Sequence, residues 1–268
     1  MKWDKDAEET MGRIPFFVRN RVRKKVEEEA RALGAQLVTM AHVRASQQRF
    51  MKNQERAVQG FRVETCFGSG GCPNRIEMEG DLVGRLEAML AREGLKDFMR
   101  SRVQGPLKMH HEFRVTLADC PNACSRPQIV DIGLIAASTP KRGEEPCSGC
   151  SACVEACPDA AIALIDPDSG PHIDPHRCQS CGHCGKACPT GAIIEAQRGY
   201  RILLGGKLGR HPQLGLELPG IFSPEETLAV VARCLAHFKA ENRQGERFGE
   251  ILNRTGLDFL AMTEGQSR

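Results

Sequence analysis

Apart from Cys234, the thirteen cysteines of this sequence fall into ligand-like spacings. PCSGCSACVEACPDAAIAL carries Cys147, Cys150, Cys153 and Cys157, and RCQSCGHCGKACPTGAIIE carries Cys178, Cys181, Cys184 and Cys188. Both copies read C-x2-C-x2-C-x3-C-P. Three thiolates so closely spaced can take three corners of a 4Fe-4S cube, while the fourth, beyond the turn that proline closes, reaches the other cube. The repeat therefore assigns Cys147, Cys150, Cys153 and Cys188 to one cluster and Cys178, Cys181, Cys184 and Cys157 to a second. Zinc is the alternative, but its sites use separated CxxC pairs rather than a triple followed by Cys-Pro.

Four further thiols lie in two distant pairs, Cys66 and Cys72 in ETCFGSGGCPNR and Cys120 and Cys124 in LADCPNACSRPQ. The glycines of the first loop let backbone fold closely around an inorganic body. Four thiolates again suit one cube, with structural thiols or zinc as the alternatives. Cys234 reads as a buried thiol on the flank of a helix.

A chain of 268 residues, 41% hydrophobic and 26% charged, can build one large or two modest domains. MKWDKDAEET opens on charges, and nowhere do 18 consecutive apolar residues occur, so neither export nor a membrane span is expected. The expected compartment is the reducing cytoplasm, where metal or redox ligation outranks a disulfide framework. A net charge of +3 is too mild to imply nucleic acid, and RNRVRKK at 19–25 reads as the solvated face of a helix.

These ligands need elements to carry them. Val22, Val26, Ala30 and Leu33 predict an amphipathic helix over 20–33 that stops at Gly34. A second helix is expected over 39–51, followed by KNQERAVQG as a polar connection. FRVET predicts a strand running into Cys66, GDLVGRLEAMLARE a helix, HEFRVTLAD a strand delivering Cys120, and QIVDIGLIAAS a third strand. After the cysteine-rich stretch YRILLGG returns to strand pattern. A last helix begins with Ser223 as N-cap, Pro224 at its first position and Glu226 completing a capping box, with Leu228, Val231, Leu235 and Phe238 as its buried stripe.

The fold class is therefore α+β: a helical module at 1–56, a domain made of 57–140 and 198–268, and an inserted two-cluster domain at 141–197. The insertion resembles the two-cluster bacterial ferredoxins, which implies electron transfer. C-x5-C, then CPNxC, then GLIA, then LLGGKLGR at 203–210 and GERFGEILNRTGLDFL resemble the iron-sulfur and siroheme half of sulfite and nitrite reductases, of the dissimilatory and anaerobic kind. WDKDAEETMGRIPFFVRNRVRKKVEEEARALG resembles a small module at the C-terminus of a dark-operative protochlorophyllide reductase subunit. That module implies either a tetrapyrrole neighbour or a helical docking piece.

Carried over by position, the reductase resemblance implies a third 4Fe-4S cluster on Cys66, Cys72, Cys120 and Cys124, with Cys124 also bridging to a siroheme iron. Such a coupled centre delivers electrons collected singly to a substrate that needs several. Siroheme carboxylates and an anionic substrate call for cations and backbone donors. Arg62, Arg75, Arg126, Asn122, Gly205 and Gly206 are the candidates for siroheme, and Arg114, Lys108, Lys207 and Arg210 those for the anion.

His110 and His111 are possible proton donors or plain strand-edge histidines. Where the family often carries lysines, this chain has Thr116 and Arg114, and residues 1–56 do not resemble the half-domain that closes the siroheme pocket. The expectation is a reductase of sulfite or nitrite with a built-in relay, fed by an electron donor protein or reductase subunit. Its pocket would be completed by a second copy or a partner subunit. The alternative is an electron-transfer subunit without turnover.

Overall fold

The computed structural model describes residues 1–166 and 170–260. They form two compact units, one of 1–59 with 103–110 and one of 60–102 with the chain from 111 onward.

In the first unit β1 (Lys2–Trp3) pairs in parallel with β2 (Leu37–Val38), and α1 (Lys5–Gly12), α2 (Phe16–Ala32) and α3 (Met40–Ala57) surround a small core of Ala7, Val26, Ala30, Val38 and Val43. The Asp4 carboxylate caps α1 by accepting from the Ala7 N–H at 2.7 Å. Two expectations change here. Leu33 lies outside the buried stripe, 64% exposed at the end of α2. KNQERAVQG is mostly helix rather than connection, because Lys52 to Ala57 are good helix formers and no breaker precedes Gly60. The basic run is also not wholly solvated: Arg23 pairs with Glu8 at 2.7 Å and lies over the Trp3 ring at 4.9 Å.

The second unit is organised by a five-stranded mixed sheet in the order β3-β4-β5-β8-β9. Its strands are β3 (Phe61–Thr65), β4 (Phe113–Ala118), β5 (Ile132–Arg142), β8 (Ile193–Leu204) and β9 (Leu216–Glu217). β3, β4 and β5 run parallel, and β8 returns antiparallel along the whole of β5. Between β3 and β4 the chain forms α4 (Leu82–Arg92) and α5 (Leu95–Arg102), and after the sheet come α8 (Pro224–Glu241) and α9 (Phe248–Thr255).

One sheet face is aromatic and aliphatic. Phe113 packs its ring 5.0 Å from Phe238 and 5.6 Å from Phe248, centroid to centroid, joining β4 to α8 and α9. The capping box of Ser223 and Glu226 is present, but the buried stripe of α8 runs through Val230, Val231, Cys234, Leu235 and Phe238, leaving Leu228 half-buried. Cys234 is fully buried, and burial pushes its thiol strongly upward.

The cysteine-rich insertion hangs on the β5–β8 hairpin. Both expected boundaries, near 141 and 197, fall inside strands, because β5 continues to Arg142 and β8 already starts at Ile193. Within it lie α6 (Ala152–Glu155), the β6 (Ile162–Asp166) and β7 (Gly170–Ile173) hairpin, and α7 (His183–Ala187). The sequence repeat is also a backbone repeat. Gly149 and Ser180 share left-handed backbone (φ 70° and 55°), as do Ser151 and Gly182 (60° and 73°) and Ala160 and Gly191 (47° and 77°).

Each matched position turns the chain around a thiol, and left-handed backbone costs a residue with a Cβ about 1–2 kcal/mol. Ala160→Gly should therefore stabilise the protein by up to about 1 kcal/mol. Gly182→Ala should destabilise it, since its Cβ would also meet Ser138 Oγ at 2.9 Å. Urea midpoints followed by circular dichroism check both, and a loss of stability in Ala160→Gly would contradict the left-handed placement of Ala160.

Candidate functional site

β3 and β4 are adjacent, parallel and in register, Thr65 opposite Leu117. Cys66 leaves the end of β3 and Cys120 follows the end of β4, so two loops far apart in sequence emerge side by side, at the carboxyl ends of parallel strands where open α/β sheets place ligands. The Cys66 N–H donates to Leu117 O at 3.2 Å, and the Ile76 N–H donates to Asp119 O at 2.9 Å, stitching the loops together.

Within the first loop, Phe67–Gly70 forms a 3-10 turn and Gly71 is left-handed (φ 99°). The Cys66 sulfur accepts N–H groups from Gly68 at 3.4 Å and from Asp119 at 3.3 Å. Gly68 is needed because an added Cβ would collide with the Asp119 carboxylate. In the second loop Ala123 and Arg126 take left-handed backbone, φ 51° and 59°.

Cys120 is buried, Cys66 and Cys72 are partly covered, and Cys124 is exposed. Burial raises the Cys120 thiol above its ordinary value, the nearby thiols of Cys72, Cys124 and Cys66 push the same way, and the Asn122 N–H pulls it down. All four sulfurs thus lie within one electrostatic neighbourhood. A multinuclear centre that binds thiolates relieves this crowding of like charges.

The insertion brings its thiols together across the two repeats. Cys157, Cys178, Cys181 and Cys184 line one cavity. Burial pushes the Cys184 thiol up to about 11, with Cys181 and Cys178 adding to it, and raises Cys181, to which Cys157 and Cys178 add. In the other group burial raises Cys153, with Cys188 and Cys147 adding to it. Cys150 is lowered, mainly by the Ala152 N–H, and Cys188 is lowered because N–H groups of Ile193, Thr190 and Gly191 and the Thr190 hydroxyl outweigh its burial.

Sulfurs ringed by backbone N–H donors suit thiolate ligation, since charge-assisted acceptors gain most from such bonds. Among the described residues no three Cys, His, Asp or Glu side chains close on a single ion.

Residues 62–263 match the nitrite and sulphite reductase 4Fe-4S domain family. This chain belongs to that family. Residues 3–46 match the proto-chlorophyllide reductase 57 kD subunit family. The chain is 38% identical over 148 residues to the coenzyme F420-dependent sulfite reductase of Methanocaldococcus jannaschii, covering 54% of this chain and 23% of that protein. It is 29% identical over 55 residues to one of the anaerobic sulfite reductase subunits of Salmonella typhimurium, covering 20% of this chain and 16% of that protein. The chain thus spans less than a quarter of either relative. Dissimilatory sulfite reductase I superposes with a TM-score of 0.44 at 20% identity over 74% of this chain and 51% of that one.

For an iron-sulfur protein of the sulfite and nitrite reductase family, the basic residues matter as much as the thiols. Most of those singled out from the sequence are already paired. Arg114 meets Glu64 at 2.6 Å, Arg62 meets Glu112 at 3.2 Å and Glu64 at 3.7 Å, and Arg75 Nε stands 3.7 Å from Asp119. Lys207 is buried and pairs with Glu250 at 2.7 Å. Arg126 and Arg210 are exposed and make no ion pair among the described residues.

Lys108 and His110 are exposed and belong to the first unit, whereas His111 is half-buried in the second. Thr116 is fully buried with its hydroxyl unpartnered. Asn122 is exposed, and its N–H serves Cys120.

Gly205 and Gly206 serve packing. A Cβ on Gly206 would collide with Gln128 O, and one on Gly205 would sit 2.9 Å from Leu252. Gly133 is a further positioning residue that sequence reasoning passed over, because GLIA reads simply as strand. Its Cβ would overlap Pro127 O, so β5 is pressed directly under the 3-10 turn Pro127–Ile129 that follows Cys124. Gly133→Ala should cost about 1–3 kcal/mol as overpacking and lift the Cys120–Cys124 loop. Amide hydrogen exchange should rise in the Cys120–Cys124 loop and stay at the wild-type level in the insertion; unchanged exchange in both would contradict this placement.

Proposed function

We propose that the chain is the cluster-bearing and siroheme-binding part of a sulfite reductase, nitrite being the alternative anion, with its own ferredoxin-like relay. Cys147, Cys150, Cys153 and Cys188 hold one 4Fe-4S cluster, and Cys157, Cys178, Cys181 and Cys184 hold a second. Cys66, Cys72, Cys120 and Cys124 hold a third. The observation that carries this reading is the meeting of the Cys66 and Cys120 loops at the ends of two in-register parallel strands, with Cys124 as the exposed member. An exposed ligand sulfur is what a bridge to a second metal requires.

When bound, siroheme supplies an iron with an open position for the anion and accepts electrons singly. The chain contributes sulfur ligation, N–H donors that stabilise charged sulfur, and cations at the rim. Of these cations Arg126 and Arg210 are unpaired among the described residues, and Arg114 is displaceable. A pair exposed by about a third on each side is worth at most about 1 kcal/mol, so an arriving dianion can compete with Glu64 for Arg114. Lys207, far more enclosed, stays with Glu250. A partner subunit or second copy completes the pocket, and a separate donor protein supplies electrons.

One observation favours a second reading, an electron-transfer subunit without turnover: the neutralisation of Arg114, Arg62 and Lys207 by the chain's own carboxylates.

Anaerobic purification separates the readings. Three cubes bring about 12 irons per chain, and siroheme adds an extractable isobacteriochlorin and turnover of sulfite or nitrite with reduced viologen. Full iron without pigment sinks the reductase reading. Cys124→Ser should then remove the third cluster and the pigment spectrum together, whereas Cys150→Ser should damage only the insertion.

Glu64→Gln should lower KM for the anion by releasing Arg114, with kcat little changed. An unchanged KM in a pigment-bearing enzyme would remove Arg114 from the anion site.

A further inference from the structure

A cleft of about 730 Å³ separates the Cys66–Cys72 loop from the second half of the insertion. Cys72 and Cys181 are the cysteines that line it. Cys181 also lines the cavity it shares with Cys157, Cys178 and Cys184, so among the described cysteines it is the one that faces both spaces. Pro140 and Gly182 make up the rest of the wall between them. Cys147, Cys150, Cys153 and Cys188 do not line the cleft, although Gly191 and Ile193, which do, donate to the Cys188 sulfur.

The two sides of the cleft are held by directed polar contacts. Lys186 Nζ, on α7, donates to Arg75 O at 3.4 Å, and Arg198 Nη1, on β8, donates to Glu77 O at 3.0 Å. Both donors thus grip the backbone just after Cys72. Arg198 Nε donates to Glu195 at 2.9 Å, and the Ser138 hydroxyl donates to the same carboxylate at 2.5 Å. On the insertion side the Ser138 N–H donates to Ser180 O at 2.7 Å, and Gly182 packs too closely on Ser138 for a Cβ. Contacts therefore run from the residues flanking Cys181 through Ser138, Glu195 and Arg198 to Glu77. Neighbouring Ile76 donates to Asp119, whose own N–H donates to the Cys66 sulfur.

We propose that electrons leave the Cys157, Cys178, Cys181 and Cys184 cluster on its Cys181 side and enter the third cluster on its Cys72 side. Lys186 and Arg198 are positioning residues that hold the two at transfer distance. The inference rests on the cluster reading given above. In each step one electron leaves a reduced cluster and one arrives at an oxidised one; no bond forms or breaks and no proton moves. The cluster of Cys147, Cys150, Cys153 and Cys188, none of whose cysteines lines the cleft, is then the point where an external one-electron donor enters.

The test uses the full, cluster-loaded chain mixed with dithionite as the one-electron reductant and followed by freeze-quench EPR. Lys186 and Arg198 are both exposed, so Lys186→Met and Arg198→Met leave the core untouched. In the double variant the insertion clusters should be reduced at the wild-type rate while the third cluster lags severalfold. Lys186→Arg with Arg198 retained should restore the pace.

A third cluster that keeps pace in the double variant overturns the proposal, as does an equal lag at all three clusters, which would mean general loosening. Iron near eight per chain with no third signal, for two cubes alone, would overturn the cluster reading itself and this inference with it.

Discussion

The parallel register of β3 and β4 is the constraint from which the rest of the site follows. A pair of antiparallel neighbours would send Cys66 and Cys120 to opposite edges of the sheet. Parallel pairing, with Arg62 opposite Arg114 and Thr65 opposite Leu117, delivers both to one edge at one height. Parallel strands require a crossover between them, and α4 and α5 supply it while burying Leu82, Leu86, Leu90, Leu95 and Met99. The Phe113, Phe238 and Phe248 contacts anchor the start of β4, and buried Val115, Leu117 and Ala118 carry the packing to its end, so the strand is held by a packed core rather than by its loop. The thiol loops can then be glycine-rich and left-handed without losing their place.

The insertion is placed by the sheet as well. It has a small core of its own, Cys153, Ile162, Cys184 and Ile193, and is carried on β5 and β8, which run out from the sheet and open into it. The ladder shifts register between Thr139 and Pro140, and there Ser138 and Pro140 meet the loop of Cys181 and Gly182. A bulge re-aims a strand at a functional place. Here it turns one repeat of the insertion, and not the other, toward the Cys72 cleft. Two halves that are alike in sequence and in backbone angles are thereby given different neighbours.

Much of this was legible in the sequence because the relevant signals are local. The Ser223 capping box and the FRVET run each depend on residues a few places apart, and each corresponds to the element expected. Misreadings occurred where tertiary context decides. KNQERAVQG is polar enough for a linker, yet a helix already under way continues through it. Leu33 has the right spacing, but α2 ends before the core reaches it. Gly133, Gly205 and Gly206 are ordinary glycines in sequence, and only the close approach of Pro127, Leu252 and Gln128 gives them a reason. Basic residues posed the hardest case, since a sequence lists cations without saying which carboxylates face them.

That pairing has an electrostatic logic, since cations gathered close together repel one another unless carboxylates stand between them. Here Glu64 lies between Arg62 and Arg114, Glu250 holds Lys207, and buried Asp131 takes the Arg247 guanidinium at 3.3 Å and the Arg114 N–H at 3.0 Å. Burial pushes the Asp131 carboxyl upward against the pull of Arg247, so this inner pair is tuned by desolvation, while the outer pairs sit in water and are weak. The gradient gives each pair a distinct role. The inner pair ties the start of β5 to the first turn of α9, while the outer pair of Arg114 and Glu64, open to water, adds little to holding them.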